Sequence, residues 1–202
     1  MNSGSRLRRL PVTFWLSGAF VLLQIVQPAG IRGQQNSPEK YILGWVPVDS
    51  IYHGMPNVKP DEEAYAPDAN ALAELQTWKA PMEIQIFLGS WCKDTKRELP
   101  RFLSALHRAN NPAFHVRYFG LDRSKKDSAG VAQANHIERI PTFIFYRDEQ
   151  ELGRIVEQPA ELLEMDWVRM LHVDPEAIRC EKILRILNQM LWTTISRVSI
   201  TF

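Results

Sequence analysis

Cysteine is scarce: the 202-residue chain has two, Cys92 and Cys180. A scaffold stapled by several disulfides is thereby excluded, and one internal bridge is the most the chain could form. The five histidines and two cysteines show no pair at metal-ligand spacing, so neither a metal nor another cofactor is expected. A basic excess is also lacking. The formal net charge is +1, and four of the 24 basic residues (Arg6, Arg8, Arg9 and Arg32) precede Gln34, where no acid occurs. The remainder carries three more acids than bases, which leaves no global basic field and makes nucleic acid an unexpected partner. No repeat and no low-complexity block interrupts the chain, so the composition fits one ordinary core.

Charge is missing altogether between Leu10 and Ile31. A basic start before an uncharged, mostly apolar run suits a secretory signal peptide over 1–33, cut between Ala29 and Gly33. The run is also long enough to serve as a retained N-terminal anchor, although Pro11, Gln24, Gln27 and Pro28 weaken it. Both readings export the body, as a periplasmic or secreted protein, and only the second keeps it at a membrane. Export would place the thiols where disulfides persist.

Residues 34–67 are rich in Pro, Gly, Asn and Asp and predict a mostly irregular lead-in. Leu72, Leu75 and Trp78 then mark a helix from Asp68 to Trp78. Alternation predicts a strand over Glu83–Leu88, followed by the Gly89-Ser90 turn. Lys93–Arg108 reads as an amphipathic helix kinked at Pro100, with Asp94 and Glu98 on a solvated face. A strand at His115–Leu121, a short helix at Ser128–Asn135, a hairpin around Arg147–Glu151 and a closing helix at Ala160–Leu171 follow. This order predicts an α/β fold, a central mixed β-sheet flanked by helices, over 68–171. The extension 172–202 contains an amphipathic helix with Ala177, Cys180, Leu184, Leu187 and Leu191 on its stripe, where Cys180 reads as a small core residue. Trp192–Phe202 has strand-like composition.

Trp91-Cys92 after a strand, Pro100 eight residues beyond the cysteine, Leu121-Asp122, Ile140-Pro141-Thr142 and Gly153 together resemble the thioredoxin-like superfamily. The string Trp91-Cys92-Lys93-Asp94-Thr95 is similar to that of exported bacterial thioredoxin-like proteins. The resemblance implies a thioredoxin-like fold and a site in which Cys92, Thr95 and Pro141 carry the chemistry. It places Trp91, Lys93, Asp94 and Ile140 at the substrate, and a cis peptide bond before Pro141. Two departures stand out: the second cysteine of a redox pair is Thr95, and the usual buried acid six residues before the cysteine is Ile86.

The lone thiol sets the expected chemistry. An exposed Cys92 at a helix start, with first-turn N–H groups and the Thr95 hydroxyl as donors, can attack a disulfide. No cysteine three residues on can then release it, so release needs an external thiol. This predicts monothiol exchange or mixed-disulfide capture, a thiol–disulfide oxidoreductase lacking its resolving cysteine. Its partners are protein or small-molecule thiols and disulfides. The alternative is a non-catalytic module that binds peptides along the cis-proline groove.

Overall fold

The computed structural model describes residues 41–198, the last seven as backbone alone. The predicted signal or anchor segment lies outside them. Among the described residues no helix is long and apolar enough to cross a membrane.

Five strands form one sheet in the order β1-β3-β2-β4-β5. β2 (Met82–Leu88) runs parallel to β3 (Phe114–Gly120) and antiparallel to β4 (Thr142–Arg147), which pairs antiparallel with β5 (Gln150–Val156). β1 (Gly44–Val46) adds antiparallel to the free edge of β3. A side chain at Gly120 would meet the backbone of Ile42 at 2.3 Å, so this approach requires glycine. The mixed sheet has the expected thioredoxin-like pattern.

Strand alternation divides the core. Ile84, Ile86 and Leu88 of β2 and Phe143 and Phe145 of β4 face a large cluster with Leu99, Phe102 and Trp167. Phe87 and Ile144 face the other way, into a smaller cluster with Cys92, Phe119, Leu121, Ile137 and Ile140. The helices α3 (Ala69–Thr77), α4 (Lys93–Ala109) and α6 (Leu163–Leu171) supply the first layer, and α5 (Val131–Ala134) contributes to the second. Asp68 caps α3 by accepting from the N–H groups of Asn70 and Ala71. Asp148 and Glu149 both adopt positive φ, so β4 and β5 meet in a tight turn, shorter than the five-residue loop read from the sequence.

Three corrections concern the flanks. The lead-in is not mostly irregular: besides β1 it forms α1 (Val48–Gly54) and α2 (Val58–Ala64). Both are too short to be stable alone. The contacts of fully buried Ile51 and nearly buried Val58 with the main core hold them. The strand-like composition from Trp192 onward does not make a strand as far as Val198, because α7 runs from Pro175 to Val198. Cys180 is exposed, not a core residue. Among the described residues of this extension Val173 and Ile178 pack on the core, while Ile183, Leu184, Ile186, Leu187, Met190 and Leu191 are each at least half exposed. Periodicity reveals an apolar stripe and leaves open what covers it.

Candidate thiol site

β2 ends at Leu88 and α4 begins at Lys93, so residues 89–92 make the turn that presents Cys92 as the N-cap of α4. Inside that turn the Cys92 N–H donates to the Gly89 carbonyl at 2.9 Å, and the Lys96 N–H donates to the Cys92 carbonyl at 3.1 Å. Gly89 leaves room for its neighbours: a Cβ there would lie 2.6 Å from Ile140 Cδ1 and 2.9 Å from the Trp91 indole nitrogen, so a larger residue would have to displace one of them.

The sulfur faces the loop before β4. The Ile140–Pro141 peptide bond is cis. The Cys92 thiol donates to the Ile140 carbonyl oxygen at 3.4 Å. That loop is pinned on both flanks: Thr142 Oγ1 donates to the Arg139 carbonyl at 2.7 Å, and the Glu157 N–H donates to the Pro141 carbonyl at 2.7 Å. The Trp91 indole N–H donates to the Leu121 carbonyl at 3.1 Å, and the Arg123 guanidinium sits 4.9 Å from the Trp91 ring centroid. Trp91 thus closes the site toward the end of β3.

The structure brings Trp91, Cys92, Ile140 and Pro141 together. Thr95 has another task than the expected one. It is fully buried, and its hydroxyl oxygen accepts the Gly89 N–H at 3.3 Å, which ties the first turn of α4 to the loop it grows from. Lys93 is exposed, and Asp94 pairs with Arg97 at 2.8 Å. The expected solvated face of α4 is half right. Glu98 is buried, held by Arg97 Nε at 2.5 Å and Arg101 Nη1 at 3.4 Å. Among the described residues no group of three or more His, Cys, Asp or Glu side chains could hold a metal ion.

The expected exposure of Cys92 is also corrected: only 9% of the residue is accessible, because it packs among Phe119, Leu121 and Ile140. Alkylation of the native protein should therefore modify Cys180 first and Cys92 at least about tenfold more slowly, since the second needs local opening. Peptide mass spectrometry with and without denaturant would read this. Equal native rates would contradict the packing around the sulfur.

Sequence reasoning passed over Asp61, Ser90 and Lys96, which line a cavity of about 190 Å³ beside the Cys92 turn. Ser90 and Lys96 were legible as neighbours of the cysteine. Asp61 joins them only through the fold, on α2.

No curated protein matches the chain. Three solved structures resemble it. One is a protein of unknown function from Pseudomonas aeruginosa, at 19% identity, covering 63% of this chain and 82% of that one, with a TM-score of 0.42. An HIV epitope-scaffold reaches 17% identity, 72% and 93% coverage and a TM-score of 0.44. Thioredoxin 2 from Pseudomonas aeruginosa PAO1 in its reduced form reaches 22% identity, 53% and 94% coverage and a TM-score of 0.34. The family assignment comes from elsewhere: the thioredoxin family model matches residues 58–172, from α2 to the end of α6 and more than half of the chain. This protein belongs to the thioredoxin family.

Proposed function

We propose that the protein is an exported monothiol exchanger in which Cys92 forms a mixed disulfide with a protein or small-molecule partner. The observation that carries this reading is the Cys92 thiol on the Ile140 carbonyl, beside Pro141, with threonine at the position of a resolving cysteine. The Cys92 thiolate attacks one sulfur of a partner disulfide. A Cys92–partner disulfide forms, and the other sulfur leaves as a thiolate that takes a proton from solvent. The bonded Cys92 sulfur can no longer donate, so the Ile140 carbonyl becomes free to accept an N–H from an extended partner. An external thiol completes the exchange. Export rests on the basic start and the uncharged run Leu10–Ile31.

In a Cys180→Ser background, a peptide carrying one disulfide-linked cysteine should be captured with one adduct per chain. Adding Cys92→Ser should remove the adduct entirely. Persistence of the adduct without Cys92, or no adduct with it, would overturn the reading. The cover over Cys92 favours a second reading, a peptide groove without turnover. Non-covalent binding that survives Cys92→Ser, with no adduct in either protein, would mark that case.

A further inference from the structure

From Arg179 to Leu191 every residue of α7 is exposed. Helices in proteins owe most of their stability to packing of an apolar face, and the exposed ion pairs Arg179–Glu176 and Arg185–Glu181, each at 3.0 Å, add little. Such a face is present. Ala177, Cys180, Leu184, Leu187 and Leu191 recur at the 3-4-3-4 spacing of a seam between two coiled helices. The domain itself lies on the opposite side. Ile178, which packs on the core, precedes Leu187 by nine residues, or about two and a half helical turns. The stripe around Leu187 therefore points away from the domain that Ile178 touches.

The stripe is complementary to itself. Laid antiparallel about a midpoint between Arg185 and Ile186, Leu184 meets Leu187 of the second copy and Cys180 meets its Leu191. On the flank Glu181 comes opposite Asn188 of the second copy, whose amide can donate to the carboxylate, and no like charges meet over residues 176–191. A parallel pair would instead set Glu176 against Glu181 of the second copy, twice over. The six large apolar side chains that are at least half exposed offer roughly 600 Å² per copy, about 1,200 Å² for two, the lower edge of stable interfaces. A lipid surface fits less well, because helices that lie in a membrane interface carry a strongly basic polar face. Here Arg179 and Arg185 are already paired with acids, and residues 176–191 hold one further cation, Lys182.

We infer that α7 pairs antiparallel with α7 of a second copy of this chain, making a two-fold homodimer through a face that carries none of the thiol-site residues. Cys180 is exposed in the single chain and becomes covered by Leu191 of the second copy in the pair. Its rapid alkylation thus belongs to dilute protein, and should slow as concentration rises through the pairing range.

The test uses the full chain with Cys92→Ser, in which Cys180 is the remaining thiol. Sedimentation equilibrium should show the mass rising from 23.3 kDa to twice that value in the micromolar range. Leu184→Glu with Leu187→Glu puts carboxylates in the seam and should weaken pairing at least about a hundredfold. Gln189→Glu adds a charge on the side away from the stripe and should leave pairing unchanged. The thermal unfolding transition checks that the domain is intact in each variant. Cross-linking with diamide reads the orientation. The two Cys180 positions of an antiparallel pair are eleven residues apart along the axis, about 16 Å, too far for a disulfide. Adding Leu191→Cys places a second thiol opposite Cys180 of the other copy and should speed covalent dimer formation at least about tenfold. A monomer at about 100 μM, or pairing that survives the double glutamate variant, would overturn the inference. A monomer that sediments with phosphatidylglycerol vesicles would assign the stripe to a membrane instead. Cross-linking through Cys180 alone as fast as with Leu191→Cys would overturn the antiparallel arrangement.

Discussion

Thr95→Cys should convert a persistent adduct at Cys92 into one that releases itself. In the parent protein a peptide–Cys92 disulfide has no internal thiol to attack it, so it should last until an external thiol arrives. Residues 92 and 95 lie on the first turn of α4, and side chains three apart on a helix are neighbours at roughly 5–6 Å between Cβ atoms. Modest rotation brings two such sulfurs to bonding geometry. An internal thiol held so close acts at an effective concentration far above millimolar, so release without added thiol should accelerate at least about a hundredfold. Mass spectrometry should show the peptide leaving as a thiol and an internal disulfide remaining. The substitution also replaces the hydroxyl that accepts the Gly89 N–H, at a cost of about 1 kcal/mol.

Two companion variants separate the sulfur from the hydrogen bond. Thr95→Ser keeps an oxygen acceptor and should leave the adduct as durable as in the parent. Thr95→Ala loses the acceptor and should still not release the peptide. An equally persistent adduct in Thr95→Cys would mean that the first turn of α4 does not present residue 95 to the site. Since Thr95 is fully buried behind Gly89, this outcome would identify the loop hydrogen bond as the whole task of the residue.

The residues that made the site legible in the sequence are those fixed by local constraints. Trp91-Cys92 follows an alternating strand and opens a helix, and Ile140-Pro141-Thr142 precedes another strand; the fold brings the two together through the pairing of β2 with β4. What stayed hidden depends on tertiary contact. In α2, Pro60 is within the first turn, where its missing N–H would be an orphan anyway. A proline- and acid-rich stretch therefore becomes helical without announcing it. Glu98 reads as a solvated acid by its charge, yet it is buried beside Thr95 and Phe102 and paired with Arg97 and Arg101. Cys180 shows the converse, a perfect place on an apolar stripe that is exposed among the described residues.

Glu164→Ala should produce the largest loss of stability, because this carboxylate joins the lead-in to the domain. Glu164, in α6, is fully buried; its two oxygens accept the Tyr65 hydroxyl at 3.1 Å each, and Oε1 also accepts the Asp68 N–H at 2.8 Å. Burial, and then the Glu164 charge, pushes the Tyr65 phenol up to about 12, so it stays a donor across the physiological range. The Tyr65 carbonyl in turn accepts Ser104 Oγ at 2.9 Å and Arg108 Nη2 at 3.1 Å from α4. Truncation removes the acceptor for two donors in a region with little access to water. Hydrogen bonds to charged groups are worth about 1.5–3 kcal/mol each, and some of that is recovered as water enters. The expected net cost is about 3–4 kcal/mol, or a fall in Tm of about 10 °C. Glu164→Gln keeps one acceptor and should cost about half as much. Tyr65→Phe should cost about 1 kcal/mol in the parent and close to nothing once Glu164 is gone, because the pair is then already broken. Additive losses in that double-mutant cycle would show that the hydroxyl and the carboxylate act separately. Capture at Cys92, measured well below the melting transition, should be unchanged in all these variants, because none touches the turn at 89–92 or the loop at Ile140.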